Sequence, residues 1–168
     1  MSCSKQDEYD LPKMELPGSQ AYAMGLEYLK RGAYPDALPY LQQAAEQHNP
    51  EAAYQLGLMY GAGEGVVADK QKSREWLLQA AMGGHPKAHY NLGHIYGTGD
   101  GVETNYEESL VWFWLASSYD DKAAKRYMRI VVQKVSAEQY NRAEQRVKEI
   151  WRQIPHETFK AEEGMAMH

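Results

Sequence analysis

One pattern occurs twice in this chain at a spacing of 36 residues, without a gap. Ala52, Tyr54, Leu56, Gly57, Tyr60, Gly61, Gly63, Gly65, Val66, Trp76 and Ala80 return as Ala88, Tyr90, Leu92, Gly93, Tyr96, Gly97, Gly99, Gly101, Val102, Trp112 and Ala116. A unit of this length is one supersecondary element that cannot bury its own apolar face alone, so it must lean on its neighbours in a stacked array. Arrays of this kind usually serve to hold another molecule.

Read along the chain, the pattern predicts pairs of helices: about 19–31 with 34–47, 51–61 with 70–82, and 87–97 with 106–118. Ser19 is expected to cap the first helix and Gly32 to end it. Glycine-rich connectors, residues 61–66 and 97–102, join the helices of the two full repeats. The first pair lacks such a connector and is four residues shorter between its helices, a variant unit at the end of the array. Small residues such as Gly57, Gly93, Ala80 and Ala116 let helices approach, while Leu56, Leu92, Trp76 and Trp112 fill the space between. After Ala116 the pattern weakens. Ala124 and Met128 keep the places of Ala88 and Leu92, no glycine connector follows, and Ser136 caps a last helix over 137–153 with Tyr140, Ala143, Val147, Ile150 and Trp151 at helical spacing.

The expected fold is all-α, a right-handed α/α solenoid of about four antiparallel helix pairs. Its domain spans residues 18–153, with repeats at about 18–50, 51–86 and 87–122 and a closing pair over 122–153. Residues 1–17, holding Pro12 and Pro17, read as an extended leader, and 154–168 as a flexible tail.

The repeated residues, Ala-x-Tyr-x-Leu-Gly-x-x-Tyr-Gly-x-Gly-x-Gly-Val followed by Trp-x-x-x-Ala, resemble the Sel1-like repeat of bacterial type, an α/α solenoid related to the tetratricopeptide repeat. The resemblance covers about residues 19–153. Asn105 stands where an aspartate such as Asp69 is usual. What the resemblance implies is an adaptor or scaffold without chemistry. It extends to signalling, envelope assembly and host interaction, and to immunity proteins that neutralise secreted toxins.

Composition narrows the function classes. The 18 basic and 23 acidic side chains give a net charge of −5, which argues against nucleic acid as a partner because phosphates need clustered positive charge. Lys122, Lys125, Arg126, Arg129 and Lys134 form a local exception, read as a solvated helix face in preference to an acid-binding patch. No run of eighteen apolar residues is present to span a membrane.

Cys3, alone in a polar run, leaves two readings open. Either it is the lipidation candidate of a bacterial lipoprotein, making the protein periplasmic and membrane-tethered, or it is an incidental thiol in a cytoplasmic chain.

Catalytic and cofactor chemistry find little footing. The glycine connectors lack the strand and the Lys-Ser/Thr of a phosphate-binding loop. His85, His89 and His94 cluster in sequence, but Pro86 places His85 at or before a helix start, so capping or surface roles are favoured over metal binding. Ser73 and Ser109 are repeat positions, and no nucleophile stands out. The chain reads as a non-enzyme without cofactor or metal.

The functional feature is geometric. Tyr22, Tyr54 and Tyr90 occupy equivalent positions on successive first helices, with Arg126 at that place in the last unit. Beside them run Leu26, Leu58, His94 and Ile130. This ladder is expected on the concave face, where it would grip a protein partner such as a toxin or envelope protein. Packing between units is the other reading of the tyrosines, and a homo-oligomeric envelope scaffold is the alternative function.

Overall fold

The computed structural model describes residues 16–155 and is all-helical over that range. Its elements are α1 (Gly18–Lys30), α2 (Tyr34–Glu46), α3 (Pro50–Ala62), α4 (Lys70–Met82), α5 (Pro86–Thr98), α6 (Tyr106–Ser117), α7 (Lys122–Val131) and α8 (Ala137–Gln153). A short 3-10 turn, Val132–Lys134, links the last two. Cys3 and nearly all of the leader and tail lie outside the described residues.

The helix starts follow from capping chemistry. Asn49, Asp69, His85, Asn105, Asp121 and Ser136 each accept a hydrogen bond from the backbone N–H three residues on, satisfying one otherwise orphaned donor. Pro50 and Pro86 occupy first-turn positions that need no N–H. Ser136 and Gln139 complete a reciprocal capping box. Two helices start without such a cap: α2, which follows Ala33 and has Pro35 in its first turn, and α1. Ser19 does not cap it; Pro17 precedes the helix and Ser19 lies inside it, because the extended backbone fixed at Pro17 already turns into the helix at Gly18.

Within each hairpin the helices touch at glycine. A Cβ on Gly25, Gly57 or Gly93 would lie 2.8 Å from Leu41, Leu77 or Phe113, closer than real side chains approach. Beside this crossing the Ser73 hydroxyl donates to the Gly57 carbonyl and the Ser109 hydroxyl to the Gly93 carbonyl, both at 2.7 Å. The repeated serines are therefore hairpin fasteners.

Between hairpins the contacts run from α2 to α3, α4 to α5 and α6 to α7. The connectors contribute here. Gly65 and Gly101 hold the left-handed backbone conformation, and their bare Cα atoms approach Tyr34 and Lys70 on the preceding unit to distances no Cβ would allow. Gln79 donates across the same junction to the Ala45 carbonyl at 2.7 Å, and Lys70 pairs with Asp100 at 3.1 Å. A continuous core results, from Ala21 to Ile154, with Leu41, Leu56, Leu92, Leu110 and Leu115 fully enclosed. Trp112 is buried in it, whereas its repeat partner Trp76 is only half-buried.

The closing end departs from this plan. Instead of folding back along α7 as α4 does along α3, α8 packs chiefly on α6. Arg142 grips Glu107 with two hydrogen bonds of 2.9 and 2.7 Å, Arg146 holds Glu108 at 2.8 Å, Tyr140 meets Trp114, and Trp151 meets Tyr119 edge-on. Where a following connector would rest on Tyr106, Lys134 lies over the ring at 5.0 Å.

Candidate partner-binding face

The first helices α1, α3, α5 and α7 carry the two rows of residues that the sequence singles out. Of these, Leu58, His94, Arg126 and Ile130 are exposed, while Tyr22, Leu26, Tyr54 and Tyr90 are half-buried. The difference has a structural cause, because the tyrosines reach forward onto the next unit.

Tyr54 is the most engaged. Its ring stacks on His85 at 4.1 Å, and its hydroxyl hydrogen-bonds the Asn91 side chain. Burial raises its pKa. His85 caps α5 through Nδ1, which accepts from the Ala88 N–H at 3.3 Å. That assignment leaves the proton on Nε2, which donates to Glu51 at 3.2 Å. Burial pulls the His85 pKa down against the opposing pull of Glu51. Asn49 and Asp121 hold the equivalent cap positions, so the histidine adds a stacking surface to an ordinary capping role.

Tyr90 joins a cluster of four rings. It meets Phe113 and Tyr127 edge-on at 5.7 and 6.0 Å, Phe113 and Tyr127 stack at 5.4 Å, and His94 reaches Tyr127 at 6.0 Å. Half-buried Tyr127 and the enclosed Phe113 beneath it are members of this ring cluster that repeat equivalence does not reveal, since the matching positions elsewhere are Gln55 or Asn91 and Leu41 or Leu77. Their signal was chemical, an aromatic replacing smaller side chains at two facing positions.

His89 belongs to none of this. It is wholly buried at the place of Ala53, against Trp112 and Tyr119. Neither of its ring nitrogens, nor the Trp112 indole N–H, makes a hydrogen bond of normal geometry. Burial lowers the His89 pKa to about 4, and the His85 carbonyl one turn earlier does not offset it.

The three histidines are thus dispersed to three tasks. Among the described residues no three His, Cys, Asp or Glu side chains come together to hold a metal, and no helix is long and apolar enough to cross a membrane.

The profile of the Sel1 repeat matches residues 18–49, 50–85 and 86–118. Among solved structures, the chain is similar to a protective antigen with an SLR fold, present in uropathogenic Escherichia coli strains. Identity is 25% and the TM-score 0.73, covering 90% of this chain and 34% of that one. It is also similar to a Sel1 repeat protein from Oxalobacter formigenes, with 28% identity and a TM-score of 0.63, covering 66% of this chain and 47% of that one. The chain therefore spans about a third and about half the length of these two proteins. No curated protein matches it. The matched repeats take up more than half of the chain and share their boundaries with the α-hairpins, so the chain belongs to the Sel1 repeat family.

Proposed function

We propose that the protein is a non-catalytic adaptor that holds a protein partner along the face formed by α1, α3, α5 and α7. Sel1 repeat proteins are generally protein-interaction modules, which supplies the class. The observation that carries the reading is the row Leu58, His94 and Ile130. Side chains at one repeat position stay exposed on consecutive helices, with Leu58 at 38% and Ile130 at 44%, beside half-buried tyrosines. Apolar and aromatic groups on a rigid frame cost little entropy to immobilise on binding.

The test is affinity capture with mass-spectrometric identification, comparing the natural chain with Leu58→Asp/Ile130→Asp. These exposed positions are cleaner probes than Tyr54 or Tyr90, whose loss would also weaken the stack. Loss of one identified partner by the variant supports the reading, and equal recovery of every partner refutes it.

A finer version places the adaptor in the bacterial envelope, tethered through Cys3 and neutralising a toxin. Labelling of the chain by a fatty-acid analogue in cells, abolished by Cys3→Ala, supports the tether; an unlabelled chain removes it. The alternative, a homo-oligomeric scaffold, draws on Met24. It is exposed at the start of the stack, while Leu56 and Leu92 at the same repeat position are enclosed by a preceding hairpin. A mass in solution that stays monomeric at all concentrations eliminates that alternative.

A further inference from the structure

Every first helix except α7 carries a glycine where it crosses its own second helix, and α7 carries Arg129. A long cation cannot enter a crossing where even a Cβ would lie 2.8 Å from the facing side chain. With α8 seated on α6, no described helix packs as a second helix along the side of α7 that faces away from α6.

Arg126, Arg129 and Ile130 are all exposed there. Lys125 is occupied by Asp120 and Lys134 by the Tyr106 ring. Arg31, Arg142 and Arg146 each hold a glutamate, whereas Arg126 and Arg129 pair with no carboxylate among the described residues. In a chain of net charge −5, two uncompensated guanidinium groups one helical turn apart form a local site of opposite sign. Arg126 also stands at the end of the ladder, next to Tyr127 of the ring cluster.

We propose that this open face of α7 receives an acidic segment of the partner protein, its carboxylates on Arg126 and Arg129 and an apolar side chain against Ile130 and His94. The inference rests on the adaptor reading and assigns the chemistry of one end of the partner. Guanidinium groups suit carboxylates because they offer paired donors in a planar fork. A protein segment fits better than a nucleic acid or an anionic membrane. The basic track, Lys122, Arg126 and Arg129, is only about two turns long, apolar side chains adjoin it, and the net negative charge of the whole chain disfavours polyanions.

The experiment titrates the full chain into a fluorescent short peptide of alternating Glu and Leu, with a Lys-and-Leu peptide as control. The acidic peptide should bind and the basic one should not. Arg126→Glu/Arg129→Glu should weaken binding about tenfold or more, and physiological salt should weaken it relative to low salt. Both arginines are exposed, so the variant should keep its helical circular dichroism.

No binding of the acidic peptide, equal binding of both peptides, or unchanged binding by the charge-reversed variant overturns the proposal. So does tighter binding of a DNA oligonucleotide or of anionic phospholipid vesicles. Tighter peptide binding on neutralising Glu157, Glu162 and Glu163 would assign the face to the chain's own tail, and self-association abolished by the arginine reversal would assign it to a second copy; either displaces the proposal. The Leu58→Asp/Ile130→Asp variant separates the two readings. If capture of the identified partner is lost there but kept by the arginine variant, the adaptor stands and the acidic-segment assignment falls. If neither variant affects capture, both fall.

Discussion

The hairpins α3–α4 and α5–α6 differ from the closing segment α7–α8 in a few residues, yet the consequences are architectural. In the hairpins, Gly57 and Gly93 admit the second helix to close contact, Ser73 and Ser109 fasten it, and the connector glycines seat each hairpin on the one before. In the closing segment Arg129 replaces the glycine and no connector follows, so α8 transfers to α6 and is held by Arg142, Arg146 and Tyr140. Repetition makes stability in one region and leaves a free surface in the other. A solenoid must stop somewhere, and here it stops by denying α7 a partner of its own.

The sharpest way to break this comparison is to hollow out the regular region. Trp112→Ala removes a buried indole of α6 that packs against His89 of α5, and should cost about 3–5 kcal/mol. Trp76→Ala, at the equivalent but half-buried site, should cost less. Urea denaturation of both variants checks the order, and equal midpoints would contradict the burial argument.

Next in size is the pH response of His89. Its folded pKa of about 4 lies below the ordinary histidine value of 6.5, so the unfolded chain takes up the proton first as the solution is acidified. Stability should be fully present above pH 6.5 and fall between there and pH 4, by about 3 kcal/mol from this group. His85, whose pKa is also lowered, adds loss of the same sign. His89→Phe should flatten much of the slope in denaturation midpoints measured from pH 7 to 4; an unaltered slope would place the acid sensitivity elsewhere.

Most of the fold was legible in the sequence because periodicity reports on packing that is itself periodic. The helix pairs, the short first unit, the capping role of Ser136 and the placement of His85 at a helix start all follow from local rules. The start of α1 did not, since Ser19 is a good cap in isolation but the helix starts two residues earlier, after Pro17. The closing helix itself was legible, but its packing on α6 rather than along α7 was not. Arg129 is visible in the sequence, but its meaning depends on knowing that the glycine it replaces faces a helix at 2.8 Å. Tyr54 and Tyr90 show a deeper limit. A repeated tyrosine packs against the next unit and borders the exposed row of Leu58 and His94 with the same ring, so the period alone does not separate the two uses.

A smaller pair of effects tests the steric core of the comparison. Gly93→Ala gains helix propensity, yet its methyl would meet the enclosed Phe113 ring at 2.8 Å, so a net cost of about 1–3 kcal/mol is expected. Arg129→Ala, at the matching position of α7, meets no facing helix and should change stability by no more than about 0.5 kcal/mol. Thermal melts of the two decide the matter. Similar losses would mean that α7 is crossed after all.

The smallest effect concerns the caps that start α5 and α7. Asp121→Ala removes one side-chain acceptor from the Ala124 N–H and should cost about 1 kcal/mol. His85→Ala should cost more, because the same substitution deletes the cap, the ring stacked on Tyr54 and the bond to Glu51. Equal costs would show that stacking at 4.1 Å contributes nothing to holding the hairpins together. A larger loss at His85, reduced by prior removal of the Tyr54 ring in a double-mutant cycle, would place the junction energy in that ring pair. The ladder tyrosine would then be a structural rung first, leaving Leu58, His94, Arg126 and Ile130 to meet a partner.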